Sequence, residues 1–435
     1  MGSRAGVEFV SQTLTEKLLH RGATGVTFEG SEWFEVQPDL VLGHDATMAL
    51  LVDRFADSGR SLAHPERLFL VADHFAPPST VDRANILRRF LEFAEREGIG
   101  AEAGGTFEMM QGICHQVLAE SPRCVPGSLI VGADSHTTMA GALGAFATGL
   151  GSTDILAVLQ TGRTWLRVPR SEKIVFTGSM GPHLRGKDLA LWMMATFGEG
   201  GAGWKALEFH DQTSGDGIPM DGRLTLANMA VDCGATNGIW VPDEATRAYF
   251  ETNGGVWPAD VDLAPDPSAD YDAHHTVDVA ELSPQIAVPF SPGNVVGIED
   301  VAGERVHQVF IGSCAGGRIE EIRDAAAVLD GQKIAPFMKL VVTPASTGVY
   351  RQAMDEGLLA TLIDAGAVVT NPSCGACGGI DKGLVAANEV CISTSNRNFR
   401  GRMGDVDARV FLASGLTAAA AALTGRITDP REVMS

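Results

Sequence analysis

The sequence predicts an α/β protein built from parallel-sheet units, and three observations carry that reading. First, one pattern recurs along the chain: an apolar run, an abrupt polar loop, then an amphipathic helix, as strand–crossover–strand units require. Second, the chemistry sits in those loops. Asp73 and His74 follow the run at 68–72; Asp134, Ser135 and His136 follow 129–131; Cys314 follows 309–311; Cys374 and Cys377 follow 367–370; Arg397 and Arg402 follow 390–394. In open parallel sheets the ligand crevice lies outside the carboxyl ends of the strands, so five segments arranged alike read as one site. Third, at about 150 residues per domain the 435 residues predict about three domains. They divide into 1–170 with the Asp/His loops, 171–293 with a second α/β unit and a Pro/Asp-rich linker, and 294–435 with the cysteines and arginines.

Composition narrows the function. Hydrophobic residues make up 45% and charged residues 20%, the balance of a soluble globular protein. The net charge of −21 argues against nucleic acid and anionic membrane surfaces as partners. An anionic substrate therefore needs a local positive site. The N-terminus, MGSRAGVEFV, does not resemble a signal peptide. The longest apolar run, residues 411–423, is too short and alanine-rich to span a bilayer and reads as a buried helix. A cytoplasmic protein is expected. Seven cysteines in a chain this long do not form a disulfide scaffold.

Taken in order, the first sixty residues predict a helix, a strand and the loop GHDAT with His44. A helix over 85–97 follows Asp73 and His74, with Ile86, Phe90 and Ala94 on one face; His115 lies in the next segment, and a Gly/Ala-rich helix follows His136. In the second unit KIVFTG and KALEFH read as strands, and GKDLALWMMATFG and DGRLTLANMAVDCGAT as helices. Asn228 and Asp232 stand four apart on the latter and share a face. Residues 254–294, rich in Pro, Asp and Ser, read as a surface linker. The last unit returns to strands and helices, with a helix at IEEIRDAAAVL.

Each constellation has a plainer reading. The C-x-x-C of Cys374 and Cys377 suits a redox pair or half of a structural zinc site. A redox pair leaves Cys314 idle, and a closed zinc site wants four ligands. Three loop cysteines suit an iron–sulfur cluster with one iron not held by protein, whereas electron-transfer clusters take four cysteines. Zinc, redox and cluster readings stay open on spacing alone. His20, His64, His183, His274, His275 and His307 read as ordinary structural histidines. His74 and His136 differ because each neighbours an aspartate, which fixes the tautomer and favours a general acid. Arg397 and Arg402 read as a carboxylate-binding fork against the acidic background.

With these residues in view, the sequence resembles the aconitase superfamily, and within it the large subunits of the 3-isopropylmalate dehydratases. The resemblance runs from about Gly6 to the C-terminus. It rests on VGADSHTTMAGALGAFATGLGSTD at 131–154, IGSC at 311–314, the paired Cys374 and Cys377, and TSNRNFRGRMG at 394–404. It implies three aconitase-type α/β domains around a shared cleft, without the swivelling fourth domain. It further implies that Cys314, Cys374 and Cys377 ligate one 4Fe–4S cluster with one iron free of protein ligands. Asp73, His74, His115, Asp134, His136 and Asp232 take catalytic roles; His44, Ser135, Asn228, Arg397 and Arg402 bind substrate.

The implied activity is a hydro-lyase acting reversibly on a substituted malate, with homoaconitate, citraconate/methylmalate or dimethylmalate as alternative substrates. A non-catalytic zinc or redox-sensing protein on the same fold is the alternative of another class. The chain departs from the family at Ala315-Gly316, where Thr-Asn is usual, at Asp232 in place of glutamate, and at Gly378-Gly379, where a bulkier residue is usual. Its Ser-Arg pair, Ser3-Arg4, does not lie in a C-terminal loop suited to the serine base of full-length aconitases. The expected partner is a small subunit that carries the swivelling domain and that serine.

Overall fold

The computed structural model describes residues 11–26 and 32–434; Ser3 and Arg4 lie outside the described residues. Three sheets with parallel strands organise it. The first takes its strands in the order Thr106–Met109, Leu68–Ala72, Leu40–His44, Leu129–Gly132, Phe146–Gly149, all parallel. Leu68–Ala72 and Leu40–His44 are buried at every position, as expected of parallel strands covered on both faces. A small antiparallel sheet of Ala23–Val26, Trp33–Val36 and Thr164–Arg167 lies beside it in sequence. The helix expected over 85–97 runs Val81–Arg96, because the Thr80 side chain accepts the Arg83 N–H and starts it earlier. Leu87, Phe90, Phe93 and Ala94 form its buried face.

The second sheet orders Asn237–Trp240, Ala206–Thr213, Ser171–Gly178 and Ala273–Asp278, again all parallel. Phe176, Phe209 and Trp240 stack along it, with centroids 5.2 to 6.3 Å apart. The third sheet has seven strands. Its parallel part runs Arg409–Leu412, Val390–Ser393, Gln308–Ile311, Lys339–Val342, Val368–Val369, and the antiparallel pair Gln285–Ala287 and Val295–Gly297 extends one edge. The helix read at IEEIRDAAAVL runs Ile319–Leu329.

Three stretches differ from expectation. Residues 254–294 are not simply a linker: they supply Ala273–Asp278 to the second sheet and Gln285–Ala287 to the third. Both are short strands, hidden in sequence by the Pro and Asp around them. The Gly/Ala-rich segment after His136 forms 3-10 turns, Ser135–Leu143, instead of an α-helix. It packs so closely on Asn237–Trp240 that a Cβ on Gly141 would lie 2.0 Å from the Gly238 carbonyl oxygen. The run 411–423 splits into the strand Arg409–Leu412 and the buried helix Gly415–Thr424. Among the described residues no helix is long and apolar enough to cross a membrane.

Each of these sheets contains a point where successive strands begin to add on the opposite side. In the first it falls between Leu40–His44 and Leu129–Gly132; in the second, between Ser171–Gly178 and Ala273–Asp278; in the third, between Gln308–Ile311 and Val390–Ser393. Crevices open at such points, at the carboxyl ends of the strands.

Candidate active site

His44 ends one strand at the first crevice and Asp134 follows the other, and they meet across it, Nε2 to Oδ2 at 3.3 Å. Asp73 and His74 follow the neighbouring strand. Asp73 Oδ1 lies 2.6 Å from His74 Nδ1, and its Oδ2 accepts the Cys114 N–H at 2.7 Å, so the carboxylate holds the imidazole from a fully buried seat. Asp134 Oδ1 is shared by His115 Nε2 at 3.0 Å and the His136 backbone N–H at 2.8 Å. His136 Nε2 faces Asp232 Oδ2 at 3.5 Å, an ion-pair distance without hydrogen-bond alignment.

The third sheet supplies the opposite wall. Cys314 follows Gln308–Ile311 and Asn396 follows Val390–Ser393, and Cys314 Sγ lies 3.6 Å from Asn396 Oδ1 across that sheet's crevice. Cys377 Sγ is 4.0 Å from the same oxygen, and the Asn396 amide donates to Asn228 Oδ1. Cys374 Sγ lies 3.9 Å from His74 Nε2, which joins the two crevices. Arg397 donates from Nε to Asp232 Oδ1 at 2.6 Å and from Nη2 to Ser135 Oγ at 3.2 Å. The predicted residues thus fall into two linked sets, Cys314, Cys377 and Asn228 around Asn396, and the Asp/His residues with Ser135, Arg397 and Cys374; Arg402 joins neither. Its Nε is buried without a protein partner, and its Nη2 lies 3.9 Å from where a Cβ on Gly378 would stand. His44 Nδ1 and His115 Nδ1 are likewise buried and unpartnered. Buried polar atoms left open at a crevice are what a polar ligand needs.

The electrostatics separate the histidines. Burial disfavours charge on His74, but the Asp73 and Cys374 side chains outweigh it and hold its pKa well above the ordinary value. Burial acts the same way on His136, and Asp232 and Asp134 reverse it, leaving a raised pKa. At His115 burial prevails over Asp134 and the pKa is lowered. Burial, then the proximity of Cys377 and Cys374, pushes the Cys314 thiol up to about 12. Such a thiol ionises at neutral pH only beside strong positive charge, as a metal supplies.

Comparison with known proteins gives this arrangement a lineage. The aconitase family (aconitate hydratase) matches residues 16–307 and 299–425. The 3-isopropylmalate dehydratase large subunit 1 of Methanopyrus kandleri is 41% identical over 423 residues, covering 97% of this chain and 99% of that protein. The homoaconitase large subunit of Thermus thermophilus is 41% identical, covering 98% of each. The chain belongs to the aconitase family. The crystal structure of Thermococcus kodakaraensis aconitase X in its holo-form shares the fold at TM-score 0.50 and 12% identity, covering 86% of this chain and 89% of that one.

Membership of the aconitase family implies an iron–sulfur cluster, and the donor set fits one. None of the seven cysteines is in a disulfide. Cys314, Cys374 and Cys377 border the same space as His74 and Asn396. Four ligands around one zinc at ~2.3 Å lie about 3.8 Å from one another. Among the described residues, the groups whose ligand atoms all fall within 4.8 Å of one another contain no cysteine. The three thiols are therefore spread too widely to close on a single ion, while a cubane needs its thiolates apart.

Sequence reasoning passed over two residues that shape this aconitase-family site. Asp45 is fully buried and accepts the His74 N–H at 3.0 Å and the Phe75 N–H at 2.7 Å, so it fixes the turn that presents His74. Its place beside His44 in GHDAT was the available signal. Lys187 is 1% exposed and reaches the loop before Asn396 from a helix of the second unit. No local pattern marks that reach.

Proposed function

We propose that this chain is the cluster-bearing large subunit of a hydro-lyase that reversibly dehydrates a substituted malate, most like 3-isopropylmalate. The observation that carries the proposal is the meeting of three unpaired thiols, the Asp73–His74 pair and Arg397 at one crevice. Cys314, Cys374 and Cys377 would hold a 4Fe–4S cluster with one iron free of protein ligands. When bound, that cluster supplies Lewis-acid charge for the departing hydroxyl.

The chain's own residues do the rest. His74, kept protonated by Asp73, delivers a proton from Nε2 to the leaving oxygen, a contribution of about 10²–10⁴-fold for a well-placed acid. Arg397 and Arg402 bind the substrate carboxylates and steady the charge that builds when the α-proton leaves. Asp134 orients His115, Asp232 orients His136, and these two imidazoles fix the hydroxyl and water. His44, Ser135 and Asn228 line the pocket. The three units, 1–170, 171–293 and 294–435, share the cleft, and a small subunit carrying a swivelling domain brings the serine that takes the α-proton. The 3-isopropylmalate dehydratase and homoaconitase relatives named as large subunits support that partner. Because the homoaconitase relative is equally similar, homoaconitate is the alternative substrate.

The test is anaerobic purification with the small subunit, iron and sulfide analysis, and a screen of substituted malates for alkene formation. Absorbance near 400 nm with turnover is expected. A colourless, zinc-only protein would overturn the reading.

A further inference from the structure

Lys187 is placed at a cost. It is the second residue of the helix Gly186–Phe197, where the backbone dipole disfavours a cation, and it is 1% exposed. Among the described residues no carboxylate lies within ion-pair distance of it. Its ammonium instead donates to the carbonyl oxygens of Ser395 at 2.6 Å and Thr394 at 3.2 Å, with Met229 Sδ at 3.4 Å. Those two carbonyls immediately precede Asn396 and Arg397.

The turn it grips is tied at its other side to the cysteine loop. Thr394 Oγ1 accepts the Gly312 N–H at 2.9 Å and lies within 3.0 Å of the Gly312 and Gly316 carbonyl oxygens. One ammonium, reaching across from the second unit, therefore sets the position of two side chains. Asn396 meets the sulfurs of Cys314 and Cys377, and Arg397 bridges Asp232 and Ser135. Without it the two carbonyls would be left facing a buried space with no donor.

We propose that Lys187 is a positioning residue for anion binding: it locks the Thr394–Ser395 turn so that Arg397 meets a substrate carboxylate and Asn396 stays against the sulfurs. It touches neither substrate nor reacting atoms. Its influence falls on dicarboxylate affinity more than on proton transfer, because His74 hangs from a different sheet.

The inference rests on the hydro-lyase reading only for its kinetic arm. Lys187→Met keeps the volume and removes the donors; Lys187→Gln keeps a shorter, neutral donor. Each is assembled with the small subunit, checked for cluster content at 400 nm, and titrated calorimetrically with malonate, a dicarboxylate that lacks the hydroxyl to be eliminated. Loss of hydrogen bonds to a charged group predicts malonate affinity weaker by about 10- to 100-fold in Lys187→Met, with partial recovery in Lys187→Gln. KM should rise by a larger factor than kcat falls. Unchanged malonate affinity in a folded, cluster-loaded Lys187→Met overturns the proposal. Failure of both variants to fold overturns it too, since the lysine would then serve the fold and not the loop. Wild-type protein that binds malonate but dehydrates no substituted malate would instead sink the functional reading and leave the affinity comparison standing.

Discussion

The imidazoles of His44 and His74 lie face to face, ring centroids 4.0 Å apart and planes 13° from parallel. They come from adjacent parallel strands, in which His44 pairs with Val71 three residues before His74. Two stacked rings this close cannot both carry charge comfortably, and the flanking carboxylates divide the roles. Asp73 Oδ1 is 2.6 Å from His74 Nδ1 but 4.0 Å from His44 Nδ1, whereas His44 Nε2 faces Asp134 and Thr47. Of the two rings it is His74 that its neighbours hold protonated, as the proposed acid requires.

Replacing Asp73 by Asn should show this directly. The amide keeps the shape but removes the charge that orients and protonates His74. We expect kcat to fall by about 10²- to 10³-fold with a smaller change in KM, measured by steady-state kinetics of alkene formation. An unchanged kcat would exclude the Asp73–His74 pair as the acid.

Cys314 and Cys391 are both buried, yet only Cys314 reaches the crevice. Cys314→Ser should lose the visible absorption and turnover together. Cys391→Ala, in the strand Val390–Ser393, should keep both and lose about 1 kcal/mol of stability from the small cavity. Iron and sulfide content per chain, with thermal unfolding, distinguishes the two.

Arg402 has an unpartnered buried Nε beside Gly378. Arg402→Lys retains the charge but not the planar fork. KM for the dicarboxylate should rise by about 10- to 100-fold while cluster content stays constant. Equal KM values would remove Arg402 from substrate binding.

Glu321 gives a prediction for stability. It is 5% exposed, its Oε2 lacks a partner, and burial raises its pKa to about 8, with Arg318 only partly opposing. A folded pKa above the unfolded one means the folded state holds the proton longer. Its contribution is full below the ordinary carboxylate range and is lost as pH rises toward 8. Glu321→Gln, which cannot ionise, should gain in Tm over wild type on going from pH 5 to pH 8. A constant difference in Tm across that range would show that Glu321 is already charged when folded.

Much of the site could be read from residues alone. Strands of the form LFLVA and LIVG bury on both faces, so the loops after them had to emerge at one edge. Asp73, His74, Asp134, His136, Cys314 and Arg397 were placed there by position in the chain. What could not be read depends on contacts between distant segments. Lys187 looks like any helix lysine until the helix Gly186–Phe197 packs against the turn at Thr394 and Ser395. Asp45 looks like a helix-start acid until the turn at His74 and Phe75 closes on it. Asn396 matters because Cys314, Cys377 and Asn228 arrive from three other segments.

Local apolar patterning and loop chemistry thus determined which loops carry polar side chains past the strand ends. Only the tertiary structure decided how they pair, since a hydrogen bond between residues 168 or 208 positions apart leaves no periodic trace in the chain. Burial then sets its strength by removing the water that would otherwise compete for the same donors.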